Sequence, residues 1–224
     1  MNPFHQRHLP HFQPADGTFF STFRLADSLP VEVVNRLREG NISKHKLIAG
    51  MLDKREQRLA WQALQSDYFR IFEEALDHAS YGPKWLSRAD IAQTVMDTVA
   101  YAATTMFHLH ALTVMPNHVH MAFSLGEGLL DRPRNNSQRD FEQLPHPASR
   151  ILGSIKKFSA RKANQVLGRH GPFWQDESYD RLVRDVREFR NVLWYIIQNP
   201  VRAGLVKEWR QWPWTICDET LEYL

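Results

Sequence analysis

The clearest pattern in the chain runs through residues 114–123, VMPNHVHMAF. After a Met115-Pro116-Asn117 turn, polar and apolar positions alternate: His118 and His120 take one set, and Val119, Met121 and Phe123 the other. A β-strand points alternate side chains to the same face. As a strand, this segment shows two histidines side by side on one surface and buries the apolar set on the other. Residues 107–114 form the preceding strand and pair with it as a hairpin. Residues 19–25, FFSTFRL, are aromatic and β-branched and predict a first strand.

Helical spacing predicts the remaining elements. A short helix covers 31–38 and ends at Gly40, and 43–78 is helix-rich. Tyr81-Gly82-Pro83 is a turn. Ser87 is placed to cap a helix over 88–103, where Ile91, Val95 and Val99 recur every fourth residue. Residues 126–147 are polar and proline-containing and read as a loop. A basic helix spans 150–167, stopped by Gly168, and 171–183 is irregular or a short strand. A last helix covers 185–198, opened by Asp185 with Glu188 three residues on and stopped by Asn199-Pro200.

Projected at about 100° per residue, that last helix has two faces. Val186, Phe189, Val192, Leu193, Ile196 and Ile197 form an apolar arc; Glu188, Asn191, Tyr195 and Asn199 form a polar stripe. Tyr195 and Asn199 are neighbours at i and i+4. Taken alone, Tyr195 reads as a half-buried tyrosine making a core hydrogen bond. Beside a histidine pair it reads as a nucleophile next to a ligand.

Composition narrows the class. Of 224 residues, 43% are hydrophobic and 12% aromatic, which suits a globular protein with a sizeable core. The single cysteine, Cys217, excludes an internal disulfide and a cysteine-based zinc site, and fits a reducing compartment. The polar, His- and Pro-rich residues 1–14 do not resemble a signal peptide, and no apolar run approaches a membrane span. Net charge is only +3. Its distribution matters more: Arg150, Lys156, Lys157, Arg161, Lys162 and Arg169 occupy a stretch without Asp or Glu. Such a block attracts phosphate, although a solvated helix face is the commoner reason for one.

Two imidazoles on one face can hold one divalent ion. With TFRLADSLP (22–30), VMPNHVHMAF (114–123), GPFWQDESYDRLVRD (171–185), YIIQNPVRAGLV (195–206) and WPW (212–214), the chain resembles the bacterial HUH-type single-tyrosine transposases, most of all their REP-associated branch. The resemblance runs from about Thr18 to Trp214. It implies an α+β fold of ferredoxin-like type, an antiparallel sheet with helices packed on one face; the helices at about 43–80 match no motif of the family and are read as a helical insertion. A catalytic domain over 18–216 would lie between a polar tail (1–17) and a short C-terminal tail (217–224). It implies His118 and His120 as ligands to Mg²⁺ or Mn²⁺, Asn199 as an amide ligand, and Tyr195 as the nucleophile. The implied substrate is single-stranded DNA beside a REP-like hairpin, cut in the cytoplasm at the nucleoid by a monomer or homodimer with no membrane partner. The basic helix (Arg150, Lys156, Lys157, Arg161, Lys162) would follow the DNA backbone, and Trp174 or Phe173 would stack on a base.

Other readings compete. Tyr179 is a rival nucleophile, but Val183 occupies its i+4 position. His108 and His110 repeat the HxH spacing and are expected on a strand surface. His5, His8 and His11 lie in a polar tail, where adventitious metal binding is expected. A non-catalytic hairpin-binding relative and a water-using metallohydrolase are the alternative functions. A covalent protein–DNA adduct separates both from a transposase.

Overall fold

The computed structural model describes residues 4–6, 10–12, 17–77, 81–125 and 147–218. Its elements are β1 (Phe4–Gln6), β2 (Pro10–Phe12), β3 (Thr18–Arg24), α1 (Val31–Ala49), α2 (Lys54–Asp77), α3 (Ala89–Ala103), β4 (His108–Val114), β5 (His118–Ser124), α4 (Pro147–Val166), β6 (Tyr179–Val183), α5 (Val186–Arg202) and β7 (Thr215–Cys217). Within the expected N-terminal tail, β1 and β2 pair antiparallel. The expected loop at 126–147 lies outside the described residues except for Pro147, which already belongs to α4.

Two compact units divide the chain: Asp27–Pro83, and the remainder. In the remainder β3 to β7 form one five-stranded sheet in the order β6-β3-β5-β4-β7, with every pairing antiparallel. The fold class is therefore α+β. The alternation in β3 and β5 sends Phe19, Phe23, Val119, Met121 and Phe123 to one face, where all are fully buried. Ile91, Val95 and Val99 of α3 and Ile151, Leu152 and Ile155 of α4 join them in one core. Phe123 sits between Phe19 and Phe107, with ring centroids 5.7 and 5.2 Å away.

The helical layer expected on one face is thus α3 and α4. Helix α5 covers the opposite face: its Tyr195 ring lies 5.9 Å from Phe20 and 5.4 Å from His120, both on the side of the sheet away from Phe123. The reason lies in its apolar arc. Val192, Leu193, Ile196 and Ile197 are buried, and this broad stripe needs a second surface to cover.

Several boundaries differ from the sequence expectation. Helix α1 runs through Gly40 to Ala49, because a single glycine lowers helix stability without breaking the hydrogen-bond ladder. Ser87 ends a 3-10 turn, and the residue at the N-cap of α3 is Arg88. Pro200 does not stop α5, which continues to Arg202. In a last turn a proline removes one bond only; Ala203 and Leu205 donate to the Asn199 and Pro200 carbonyls, and Gly204 closes the helix at φ 69°. The start of α5 is as expected: the Asp185 side chain accepts from the Glu188 N–H at 2.7 Å.

In the Asp27–Pro83 unit, α1 and α2 pair as a helical hairpin. Asp53 Oδ1 accepts from the Arg55 and Glu56 N–H groups, the Gln57 amide donates to the Ile48 carbonyl, and the His45 ring meets Trp61 edge-on at 4.2 Å. Gly82, at φ 80°, passes so close to the Asp27 carbonyl that an added Cβ would collide with it.

Candidate active site

The hairpin at Met115–Asn117 sets β5 against β4, with His120 opposite Thr113, and on its other edge β5 pairs with β3, which places His118 opposite Arg24 and His120 opposite Thr22. Both imidazoles are fully buried. Their Nε2 atoms lie 2.9 Å apart. The outer nitrogens are held: His118 Nδ1 meets Asn117 Oδ1 at 2.6 Å, and His120 Nδ1 meets Thr22 Oγ1 at 2.8 Å. An amide oxygen only accepts, so His118 Nδ1 carries its proton and His118 Nε2 presents a lone pair. If His120 donates to Thr22 in the same way, two lone pairs converge, an arrangement that a cation relieves. Two nitrogens at about 2.1 Å from one ion and at right angles are about 3.0 Å apart, which matches the pair. Burial, and then the neighbouring His120, hold the His118 pKa well below the ordinary value, so the ring is neutral and able to ligate at neutral pH.

Asn199 supplies an independent sign. Its side chain is fully buried, and among the described residues neither its amide oxygen nor its amide nitrogen has a hydrogen-bond partner. Buried amides are nearly always paired. An orphaned amide on the stripe of α5 that carries Tyr195 fits a ligand that completes it. The donor set of two imidazoles and an amide therefore fits a divalent ion.

Tyr195 is half-buried, its ring steeply inclined to His120 at 74°. The exposed Arg202 guanidinium lies 5.1 Å from the ring centroid, where it can offset the charge of a phosphate brought to the tyrosine. Tyr179 is also on the histidine face, paired with Thr22, but is buried and meets Phe20 edge-on at 6.3 Å.

The expected DNA-contacting residues do not share one fate. Arg150, Lys157, Arg161 and Lys162 are exposed on α4. The Lys156 ammonium is instead engaged: it donates to the Asp176 carbonyl at 2.7 Å and to Ser178 Oγ at 3.2 Å, holding the segment before β6. Trp174 and Phe173 are not available to stack on a base. Trp174 packs 4.8 Å from Phe23 and donates from Nε1 to Ser159 Oγ at 2.9 Å, and Phe173 is fully buried. The backbone explains this: Leu25 bridges to Trp174 and the Ala26 N–H donates to the Phe173 carbonyl, which fastens this segment to the end of β3.

Sequence reasoning missed Asn117, Thr22, Phe20 and Arg202. Asn117 adjoins His118 and was legible as its positioning partner. Thr22 is brought to His120 only by strand pairing across 98 positions, which no local pattern reveals.

A buried HxH pair on an antiparallel sheet, faced by a helix bearing a tyrosine and an amide at i and i+4, is the arrangement that the HUH-type resemblance implies. Two curated proteins align with the chain: one from Haemophilus influenzae, assigned to the REP-associated tyrosine transposases, at 26% identity over 110 residues, and the REP-associated tyrosine transposase of Escherichia coli at 27% over 109. Each alignment covers 49% of this chain, and 58% and 53% of the respective relative, so the chain matches little more than half of their length. A solved structure of a REP-associated tyrosine transposase bound to a REP hairpin superposes over 96% of this chain and 82% of its own, at 17% identity and a TM-score of 0.47. No protein-family model matches. The resemblance to the REP-associated branch is borne out by the two curated relatives. Among the described residues no helix is long and apolar enough to cross a membrane.

Proposed function

We propose that the chain is a single-tyrosine transposase acting on single-stranded DNA beside REP-like hairpins, in the cytoplasm where such DNA is exposed. The observation that carries this reading is the Tyr195 ring 5.4 Å from His120, one of two buried imidazoles whose Nε2 atoms converge. His118, His120 and Asn199 would hold Mg²⁺ or Mn²⁺, which supplies Lewis-acid polarisation of the scissile phosphate.

The chain's own residues supply the rest. Asn117 and Thr22 hold the outer imidazole nitrogens and so fix the direction of the inner ones. Tyr195, as phenolate, attacks phosphorus in line; the Oη–P bond forms, the P–O3′ bond breaks, and the 3′-oxygen leaves and takes up a proton. The product is a 5′-phosphotyrosine and a free 3′-hydroxyl. A 3′-hydroxyl from another strand reverses the step and releases the tyrosine. One phosphodiester is exchanged for another, so the joining needs no nucleotide cofactor. Arg150, Lys157 and Arg161, at i, i+7 and i+11, share one exposed face of α4 and would follow the DNA backbone.

The test is a denaturing gel of labelled single-stranded oligonucleotide carrying a hairpin, incubated with protein and Mn²⁺. Wild type forms a slow-migrating covalent species. Tyr195→Phe binds the hairpin and forms none, and chelator abolishes the species. Hairpin binding by wild type without any adduct would favour the non-catalytic relative.

A further inference from the structure

A second cluster lies on the histidine face of the sheet but toward its other end. Ser124 is four residues along β5 from His120, about 13 Å at strand rise. A register shift between Leu109 and Ala111 bulges β4 at His110 and directs that side chain to Ser124: His110 Nε2 and Ser124 Oγ are 2.6 Å apart. Ser124 Oγ in turn meets Thr18 Oγ1 at 2.7 Å. The His108 and His110 rings are 4.6 Å apart. Asp218 reaches them because its N–H donates to the His110 carbonyl at 2.8 Å, one residue beyond β7. Its Oδ2 then lies 3.3 Å from His108 Nε2.

The surface ion pair of His108 with Asp218 is unremarkable by itself. The buried Nδ1 of His110 is not: among the described residues it has no hydrogen-bond partner. If Nε2–H donates to Ser124 and the serine hydroxyl donates to Thr18, every proton in that chain is used, and Nδ1 is a bare lone pair. The reverse direction would bury an unpaired N–H. One donor atom from each of His108, His110 and Asp218 falls within 4.8 Å of the other two.

We infer that His108, His110 and Asp218 form a second metal site, selective for a borderline divalent ion of the Zn²⁺ class and serving to clip β7 to β4. Two imidazoles and one carboxylate are common ligands of Zn²⁺ and bind it more tightly than they bind Mg²⁺. Ser124 is the outer partner that orients His110. A clip is useful here: among the described residues β7 closes the sheet edge through three register pairs, Ala111 with Cys217, Leu112 with Ile216 and Thr113 with Thr215. The inference does not depend on the proposed DNA chemistry.

The test uses the full chain with His118→Ala, His120→Ala and the tail changes His5→Ala, His8→Ala and His11→Ala, which remove the other closely spaced histidines and leave His45, His78, His146 and His170 as isolated ones. Zn²⁺ is measured by equilibrium dialysis with elemental analysis, and Co²⁺ by visible absorption. One equivalent of Zn²⁺ should bind in the presence of millimolar Mg²⁺, Co²⁺ should give a ligand-field band, and thermal unfolding should move upward with Zn²⁺. The ligand variants His108→Gln and Asp218→Asn should each weaken binding at least 10-fold, and Ser124→Ala by roughly 10-fold. No stoichiometric Zn²⁺, or binding indifferent to His108→Gln and Asp218→Asn, overturns the site. If the background variant fails to fold, wild type carrying Asp218→Asn decides: it must bind one equivalent fewer than wild type, and equal stoichiometry overturns the site.

Discussion

Replacing Asn199 by leucine should stabilise the metal-free protein while destroying its use. The two side chains share one branched outline, leucine being the bulkier, and the site is fully buried. In the metal-free protein the amide oxygen and nitrogen both lack partners among the described residues. Each buried unsatisfied polar group costs about 1–3 kcal/mol, and leucine removes both. Overpacking by the bulkier methyls returns about 1–3 kcal/mol of that gain. From the midpoints of the two ranges the net expectation is a stabilisation of about 2 kcal/mol. For a chain of this size that corresponds to a rise in Tm of roughly 4–8 °C. The assay is thermal unfolding followed by circular dichroism in EDTA, repeated with Mn²⁺. In EDTA the variant should melt above wild type. With Mn²⁺ wild type should gain stability and the variant gain less, because one donor is lost. A variant melting more than about 1 kcal/mol below wild type in EDTA would show that the amide is paired, and would refute the argument that makes it a ligand.

Three further outcomes follow from the same geometry. The folded-state pKa values of His118 and His110 are depressed, His118 by burial and then His120, and His110 to about 4 by burial and then His108. The unfolded chain therefore binds protons first on acidification. Stability in chelator should be full above about pH 6.5 and fall toward pH 4, and urea midpoints that stay flat over that window would contradict it. Lys157→Ala with Arg161→Ala should flatten the slope of log affinity against log salt for single-stranded DNA by about 1.4, read by fluorescence anisotropy, while an unchanged slope moves the DNA path off α4. Trp174→Phe, which loses the bond to Ser159, should lower the urea midpoint by the equivalent of about 0.5–1.5 kcal/mol and leave DNA affinity unchanged; a clear loss of affinity would return Trp174 to the interface.

What was legible in the chain was what obeys a local period. The alternation around His118 and His120 marked strand and hairpin, because a strand sends alternate residues to opposite faces; that the histidine face would itself be covered, leaving both imidazoles buried, was not visible in it. The arc of α5 and its Asp185 cap were legible for the same reason. Less was visible where neighbours remote in sequence decide. Trp174 looked like an exposed aromatic in a polar stretch, yet the end of β3 draws it inward against Phe23. Lys156 belongs to a basic run, yet its ammonium fastens the approach to β6. His108 and His110 were readable as a strand surface, but the bulge that turns His110 to Ser124, and the arrival of Asp218 from 108 residues downstream of His110, depend on the sheet. Gly40 and Pro200 misled because both are read as breakers, while their cost in a helix depends on position within it.

The central claim is that Tyr195 becomes bonded to DNA. The most direct measurement is mass spectrometry of the protein after reaction with a hairpin-bearing single strand and Mn²⁺, followed by nuclease trimming and peptide mapping. The account predicts one nucleotide-sized mass addition, attached through a 5′-phosphate to the peptide containing Tyr195, and absent from Tyr195→Phe. An addition on the peptide containing Tyr179, or cleaved DNA with unmodified protein, would contradict it.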